Sequence, residues 1–190
     1  MGKPRGRPAT IDRAAVRETA LRLFEERGYE QTTVDEIADA ARISKQTLFR
    51  LFPSKADLVW DDLDDGLDRA FRAVTADPEP QTLAQIVHRV FRTPAELADP
   101  AQVTSLRRRL RLVGATPALM RHTTLDTLHE RMTAAVGRAT GLSAPPELVA
   151  RTLVAAGLSA MIWWAEHDDV DSPAHVLALT LRSLAEAAPA

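Results

Sequence analysis

The chain has 190 residues, a formal net charge of −2 and no cysteine. This length suffices for a sizeable core in one or two domains, and the lack of thiols excludes disulfides and cysteine metal sites and favours a reducing, cytoplasmic location. We find neither a signal-peptide segment nor an apolar stretch of the roughly 18 residues needed to cross a bilayer, so we expect no membrane partner.

The first ten residues form a basic arm with a net charge of +3. Pro4 and Pro8 favour an extended backbone. Gly6 has no side chain, so the backbone at this position can lie deep in a narrow groove. The core P-R-G-R-P resembles an AT-hook, an element that binds the minor groove of A·T-rich DNA, where the potential is strongly negative. A disordered tail that only aids solubility is the alternative. The candidate minor-groove residues are Lys3, Arg5 and Arg7.

An amphipathic first helix is predicted from the apolar residues that recur at helical spacing between Val16 and Phe24. Gly28 stands where a helix commonly ends. A second helix is predicted after Thr33, because Thr33 and Glu36 have the spacing of a capping box, in which each side chain bonds the other residue's backbone N–H.

A third helix, after a turn at residues 41–43, carries a row of hydrogen-bond donors. Ser44 is placed to cap this helix, and Leu48 and Phe52, four residues apart, mark its buried side. The opposite side suits the major groove of DNA, where base edges present a distinct pattern of donors and acceptors. The candidate base-reading residues are Lys45, Gln46, Thr47 and Arg50.

Residues 11–58 resemble the N-terminal domain of the TetR family of bacterial transcriptional regulators. The positions that carry the resemblance are Thr33, Ile37, Ala38, Ser44, Thr47, Leu48, Phe49, Phe52, Ser54 and Lys55. The resemblance implies a homodimer that binds a palindromic double-stranded DNA operator, with two reading helices about 34 Å apart. It also implies phosphate contacts from Thr33, Ser44, Phe49 and Lys55.

Three positions depart from the family pattern. Arg42 stands where a turn glycine is usual, so we expect about 1 kcal/mol of backbone strain if this position has a positive φ. Phe49 replaces a tyrosine whose hydroxyl donates to a phosphate, and Leu51 stands where histidine or tyrosine is frequent. We therefore expect Lys55 to supply more of the phosphate binding.

The composition offers few aromatic or β-branched runs for strands, so the predicted fold is all-α with about nine helices. Ser54 and Asp57 are spaced to open a helix that runs to about Thr75. Later helices are predicted over residues 81–92, 100–113, 117–140, 146–167 and 172–187. The predicted domains are the arm at 1–10, a helix-turn-helix domain at 11–53 and a helical effector-binding and dimerisation domain at 54–190.

The helix predicted at 146–167 is apolar nearly all round, so it must be buried on more than one side. The family resemblance implies that the last two helices form a four-helix dimer bundle, whereas the alternative is a central helix of a monomer. The candidate interface residues are Ala156, Gly157, Ala160, Trp164, Leu177 and Leu181.

The resemblance further implies a small-molecule effector among the C-terminal helices, of an amphipathic or acyl type. The candidate pocket residues are Trp60, Phe71, Phe91, Leu106, Arg109, Leu110, Val113, Met120 and Trp163. Ordinary core is the favoured alternative for each apolar member, because an apolar stripe at helical spacing is the usual signature of core. The arginines among residues 107–111 are either solvated, paired with the acidic group Asp61, Asp62, Asp64 and Asp65, or partly turned toward a ligand carboxylate or phosphate.

Catalysis has no support in the sequence. The chain contains no nucleophile elbow, phosphate-binding loop or dinucleotide fingerprint, and its five histidines lack metal-ligand spacing, so we predict no metal, no cofactor and no enzyme activity. An architectural DNA protein would not need the large apolar C-terminal half. We predict a repressor in which the effector tilts the fourth helix, alters the spacing of the two reading helices and releases the operator.

Overall fold

The computed structural model describes residues 11–61, 63–77, 79, 81–92, 99–170 and 172–186. The chain divides into two compact units, Met1–Leu58 and Val59–Ala190. The division falls five residues beyond the predicted boundary at residue 53, and contacts of Lys55 with Tyr29 and Thr32 tie the intervening segment to the first unit. The arm at residues 1–10 lies outside the described residues.

Three helices and the start of a fourth make up the first unit. They are α1 Arg13–Arg27, α2 Val34–Ala40, α3 Lys45–Leu51 and α4 Asp57–Trp60, the last of which contains the division between the units. Asp12 caps α1 by accepting from the N–H groups of Ala14 and Ala15. The core is formed by Val16, Ala20, Leu21, Leu23, Phe24, Ile37, Ala38, Leu48 and Phe52, so the predicted inward faces are confirmed.

The second unit is also helical. Its helices are α5 Leu63–Ala76, α6 Leu83–Val87, α7 Pro100–Ala115, α8 Thr123–Val136, α9 Pro146–Glu166 and α10 Pro173–Glu186. A π-helical segment, His88–Arg92, continues α6, and a 3-10 turn, Leu119–Arg121, precedes α8. The all-α prediction is confirmed, with ten α-helices among the described residues.

Two predicted helices have wrong boundaries, and one pair of short strands was not predicted. The helix expected from residue 54 to 75 is described as α4 and α5, with a turn at Asp61. The helix expected from residue 117 begins at Thr123, because His122 caps it by accepting from the N–H of Thr124. Strands β1 Gln81–Thr82 and β2 Ala139–Thr140 form a parallel pair that local sequence did not predict.

Two apolar clusters form the core of the second unit. Cluster A contains Phe71, Val74, Ile86, Val90, Met132, Ala135, Val136, Ala150, Leu153 and Val154. Cluster B contains Leu110, Ala160, Trp164, Ala165, Val176 and Leu177. Helix α9 supplies residues to both clusters, and Phe91 packs against both. The all-round apolar character of α9 therefore has a cause within the single chain.

Helix α9 also passes the length and composition test for a membrane span, which corrects the sequence-based statement that no such stretch exists. Its 21 residues include a window with a mean hydropathy of 1.5, of which 39% is buried inside the chain. A core helix of a soluble protein passes the same test, so this single helix is weak evidence for a membrane.

Candidate nucleic-acid interface

The start of α2 is fixed by the predicted capping box. The N–H of Glu36 donates to Thr33 Oγ1 at 3.2 Å, and the N–H of Thr33 donates to Glu36 Oε2 at 2.8 Å. Arg27 also donates to this carboxylate, at 3.0 Å. The Thr33 N–H and hydroxyl, assisted by Arg27, hold the pKa of Glu36 below its usual range. The box orients the first turn of α2, while a phosphate contact from Thr33 stays a prediction.

The turn between α2 and α3 is a Schellman motif around Arg42. The N–H of Ile43 donates to the carbonyl of Ala38, and that of Arg42 to the carbonyl of Asp39, both at 3.0 Å. The φ angle of Arg42 is 56°, the sole positive value at a non-glycine position in the described part of the chain. This finding confirms the strained position that the sequence suggested.

Arg42→Gly should raise the free energy of unfolding by about 0.5–1 kcal/mol, because glycine adopts a positive φ without the Cβ clash. Arg42→Ala is the matched control, since it removes the guanidinium and keeps the clash. Urea unfolding of the three proteins measures the difference. Equal stabilisation by both variants would show that the gain comes from removing the arginine charge and not from relieving backbone strain.

Helix α3 presents the predicted row to solvent. Ser44 Oγ accepts from the N–H of Thr47 at 3.1 Å, which confirms the cap. Leu48 is buried, whereas Lys45, Gln46 and Arg50 are exposed and Thr47 is half-buried. Phe49 is 41% exposed, so its ring lies on the surface and not in the core. The described surface of α3 thus offers three long polar side chains and one aromatic ring.

Lys55 has a structural role that the phosphate assignment missed. Its ammonium donates to the carbonyls of Tyr29 at 2.7 Å and Thr32 at 3.1 Å. The same Nζ lies 4.2 Å from the centre of the Tyr29 ring. These contacts turn the charge toward the loop before α2, so a phosphate contact by Lys55 competes with existing bonds.

Tyr29 is buried beneath this contact, and its titration can be observed directly because it is the one tyrosine of the chain. Burial, assisted by the negative charges of Glu30 and Asp57, raises the pKa of Tyr29 to about 12. The folded state therefore holds the phenolic proton more tightly than the unfolded state does.

We expect the near-ultraviolet phenolate signal of the native chain to appear near pH 12, against about pH 10 in denaturant. Because the folded pKa is the higher one, this contribution to stability is complete below pH 10 and is lost as the pH rises toward 12. Absorbance titration with and without urea measures both midpoints. Coincident midpoints would contradict the buried environment of the ring.

Comparison with known proteins supports the same domain. The family pattern described as bacterial regulatory proteins, tetR family, matches residues 16–60. The pattern described as the MftR C-terminal domain matches residues 81–189, which is more than half of the chain. The chain belongs to the TetR family.

Several relatives of this TetR-family chain are known. Three uncharacterized HTH-type transcriptional regulators of Mycobacterium tuberculosis and Mycobacterium bovis are 56% identical over 39 residues, a match that covers 20% of this chain and 19% of each relative. The putative mycofactocin biosynthesis transcriptional regulator MftR of Mycobacterium tuberculosis is 26% identical over 160 residues, covering 82% of this chain and 80% of that protein.

A solved structure shows the same fold over nearly the whole chain. The TetR-family repressor FadR of Thermus thermophilus, in complex with lauroyl-CoA, aligns with a TM-score of 0.59 and 24% identity. The alignment covers 94% of this chain and 100% of FadR.

The predicted effector-pocket residues of this TetR-family chain do not form a single group. Phe71 belongs to cluster A, whereas Leu110 belongs to cluster B, against which Leu106 packs. Phe91 joins the two clusters, and Val113 is buried. Phe71, Leu110 and Val113 are buried, whereas Phe91 and Leu106 are half-buried against the clusters, so a pocket role for any of the five stays a prediction.

The remaining pocket candidates have separate surroundings. Trp60 Nε1 donates to the carbonyl of Leu119 at 3.1 Å, and its ring is stacked 6.1 Å from that of His122. Met120 and Trp163 are 41% and 46% exposed, so neither lies in the interior of the chain. Local patterning could not have found the Trp60 contacts, because their partners lie about sixty residues away.

Two arginines of the 107–111 run hold the end of α9. Arg107 donates to the carbonyls of His167 at 2.9 Å and Val170 at 2.7 Å, and Arg111 donates to Asp168. The bond from Arg111, with that from Arg107, keeps the pKa of Asp168 below its usual range. Both arginines meet the carboxylate of Asp168. The side chains of Asp62, Asp64 and Asp65 lie outside the described part of the chain, so pairing of the arginine run with that acidic group stays a prediction.

Arg109 is buried, and it donates to the carbonyl of Asp61 at 3.3 Å and to that of Ser105 at 3.3 Å. Its guanidinium therefore binds backbone carbonyls of its own chain. A ligand carboxylate at Arg109 would have to displace these contacts.

Most of the predicted dimer-interface residues lie inside the protomer. Ala160, Trp164 and Leu177 belong to cluster B, and Gly157 is buried. Ala156 and Leu181 are half-buried, and Leu181 packs on cluster A. This assignment was wrong for the buried members, because an all-round apolar helix gives no sign of which side meets its own core.

The described residues contain no group of histidine and acidic side chains that could hold a metal ion.

Proposed function

We propose that this TetR-family chain is a cytoplasmic, homodimeric DNA-binding repressor that a small-molecule effector releases from a palindromic operator. The observation that carries the proposal is the exposed row of Lys45, Gln46 and Arg50 on a helix capped by Ser44. Long polar side chains on one rigid helix suit the base edges of a major groove. The basic arm would add contacts in the adjacent minor groove.

Gln46→Ala should weaken operator binding by about 1–3 kcal/mol and leave binding to random DNA nearly unchanged. The matched control is Gln31→Ala, which removes an exposed glutamine outside α3. Footprinting on genomic fragments would identify the operator, and titrations on operator and random duplexes would follow. Equal losses on both duplexes would show that Gln46 binds the DNA backbone and does not read bases.

The dimer interface is better proposed from the exposed side of α9 and α10. Leu148, Trp163 and Leu179 are large apolar side chains that the single chain leaves exposed. Ala155 and Ser159 are exposed on α9 between Leu148 and Trp163, and their small size permits close approach of a second helix.

An amphipathic, acyl-type effector remains our proposal for the ligand. FadR, which shares the fold, is described in complex with lauroyl-CoA. Cluster A supplies an extensive apolar interior. The side chain of Gln81 donates to the carbonyl of Val74 in that cluster, and its buried Oε1 has no hydrogen-bond partner among the residues that the structure describes. Stabilisation by lauroyl-CoA but not by free CoA in a thermal-shift assay would support this class.

A further inference from the structure

An ion pair joins the first turns of α2 and α3. Lys45 Nζ lies 2.9 Å from Asp35 Oδ1 and 3.0 Å from Asp35 Oδ2, so the ammonium faces both carboxylate oxygens. Asp35 is the second residue of α2, and Lys45 is the first residue of α3. The neighbouring acidic residue, Glu36, is bound instead to Thr33 and Arg27.

The pair contributes little to folding. The two side chains are 53% and 65% exposed, and exposed ion pairs are screened by water and salt. The orientation of α2 and α3 is already set by the capping box, the Schellman turn and the Ser44 cap. Asp35 also lies at the positive end of the α2 dipole, but that interaction needs no lysine, so a stabilising role does not account for the pairing of Asp35 with Lys45.

The ion pair between Asp35 and Lys45 has opposite effects on the affinity for random DNA and on the affinity for an operator. On random DNA, binding depends on neutralising phosphates, and a carboxylate at Lys45 cancels one positive charge. On an operator, the ammonium can donate to a guanine edge, and a lysine already held in place loses less side-chain freedom on binding. The first effect weakens random binding, and the second preserves specific binding.

We propose that Asp35 is a specificity determinant of DNA reading, which holds the Lys45 ammonium away from phosphates and positions it for a base edge. This inference rests on the proposed function, since it presupposes an operator. Asp35 is a positioning residue in this scheme, because it acts through Lys45.

The test compares Asp35→Asn with the wild-type chain on operator and on random duplexes over a range of salt concentrations. We expect random binding to strengthen about fivefold to tenfold per subunit, with a salt slope steeper by about one phosphate equivalent. Operator affinity should stay within about twofold, because the gain in charge offsets the loss of positioning. The ratio of operator to random affinity should therefore fall by at least about 2.5-fold per subunit, and by about fivefold to tenfold if operator affinity is unchanged.

Three control variants separate the pair from general charge effects. Asp39→Asn removes an exposed carboxylate at the other end of α2 and should leave the ratio unchanged. Asp35→Glu keeps the charge and should retain the wild-type ratio. In a Lys45→Ala background, Asp35→Asn should no longer change the ratio, because the group through which it acts is gone.

Equal strengthening on both duplexes would overturn the inference, since Asp35 would then act only as a general negative charge. The inference would also be overturned if Asp35→Asn changed neither random binding nor the ratio of operator to random affinity. A change in that ratio that persists in the Lys45→Ala background would overturn it as well. Thermal unfolding of Asp35→Asn checks that α2 is intact. A wild-type chain with no preferred duplex would contradict the proposed function itself, before any variant is compared.

Discussion

Trp164→Ala should lower the free energy of unfolding by about 3–5 kcal/mol, the largest effect that we expect from a single substitution. The Trp164 side chain is fully buried in cluster B. Its Nε1 donates to the carbonyl of Val170 at 2.9 Å, and Arg107 lies 4.3 Å from its ring centre. The truncation removes apolar contacts, a hydrogen bond and a cation–π contact together.

Trp163→Ala is the control on the adjacent residue, whose ring is 46% exposed and stacks on His167 at 4.0 Å. This variant should keep the fold of the protomer and weaken the proposed dimer. Denaturant unfolding and analytical ultracentrifugation separate the two effects. If Trp164→Ala dissociated a dimer of folded chains while Trp163→Ala unfolded the protein, the assignment of the two sides of α9 would be reversed.

Lys55→Met should destabilise the first unit by about 2–3 kcal/mol, because it keeps the aliphatic stem and removes the ammonium. The carbonyls of Tyr29 and Thr32 lose a charged donor, and the Tyr29 ring loses its cation. We expect the salt dependence of DNA binding to change little, since the ammonium already binds protein carbonyls. Urea unfolding and salt titrations of DNA binding measure the two quantities.

Lys45→Met provides the matched comparison, because it removes an exposed ammonium whose described partner is Asp35. Its cost in stability should be at most about 1 kcal/mol, while its operator affinity should fall. If Lys55→Met made DNA binding less dependent on salt and left the stability unchanged, Lys55 would bind a DNA phosphate, as the family resemblance implied.

The features that sequence analysis predicted correctly depend on short spacings. Thr33 and Glu36 are three residues apart, and the reciprocal bonds of their capping box follow from backbone geometry alone. The strained turn at Arg42, with its positive φ, was implied by the family resemblance, because Arg42 stands where a turn glycine is usual. The buried side of α3 follows from Leu48 and Phe52 by helical periodicity.

The features that it missed depend on partners far away in the chain. Lys55 meets carbonyls 23 and 26 residues earlier, and Trp60 meets the carbonyl of Leu119. No local pattern distinguishes these side chains from a phosphate ligand or a pocket wall. The interface prediction failed for Trp164 and Ala160 because periodicity shows that a helix is apolar without showing which neighbour covers each side.

The π-helical segment His88–Arg92 has a consequence for how the chain can vary in length. Phe91 packs against both clusters, and a Cβ on Gly157 would lie 2.9 Å from its Cε1. A π-helix has more residues per turn than an α-helix and so turns by less than about 100° per residue, and a one-residue deletion that returned the segment to α-helix would change the direction of the Phe91 ring relative to Gly157. Substitutions at the exposed His88 or Arg89 should thus be tolerated, whereas a deletion of either residue should not. The direction of the Phe91 side chain around the helix axis depends on the number of residues before it and not on their identity.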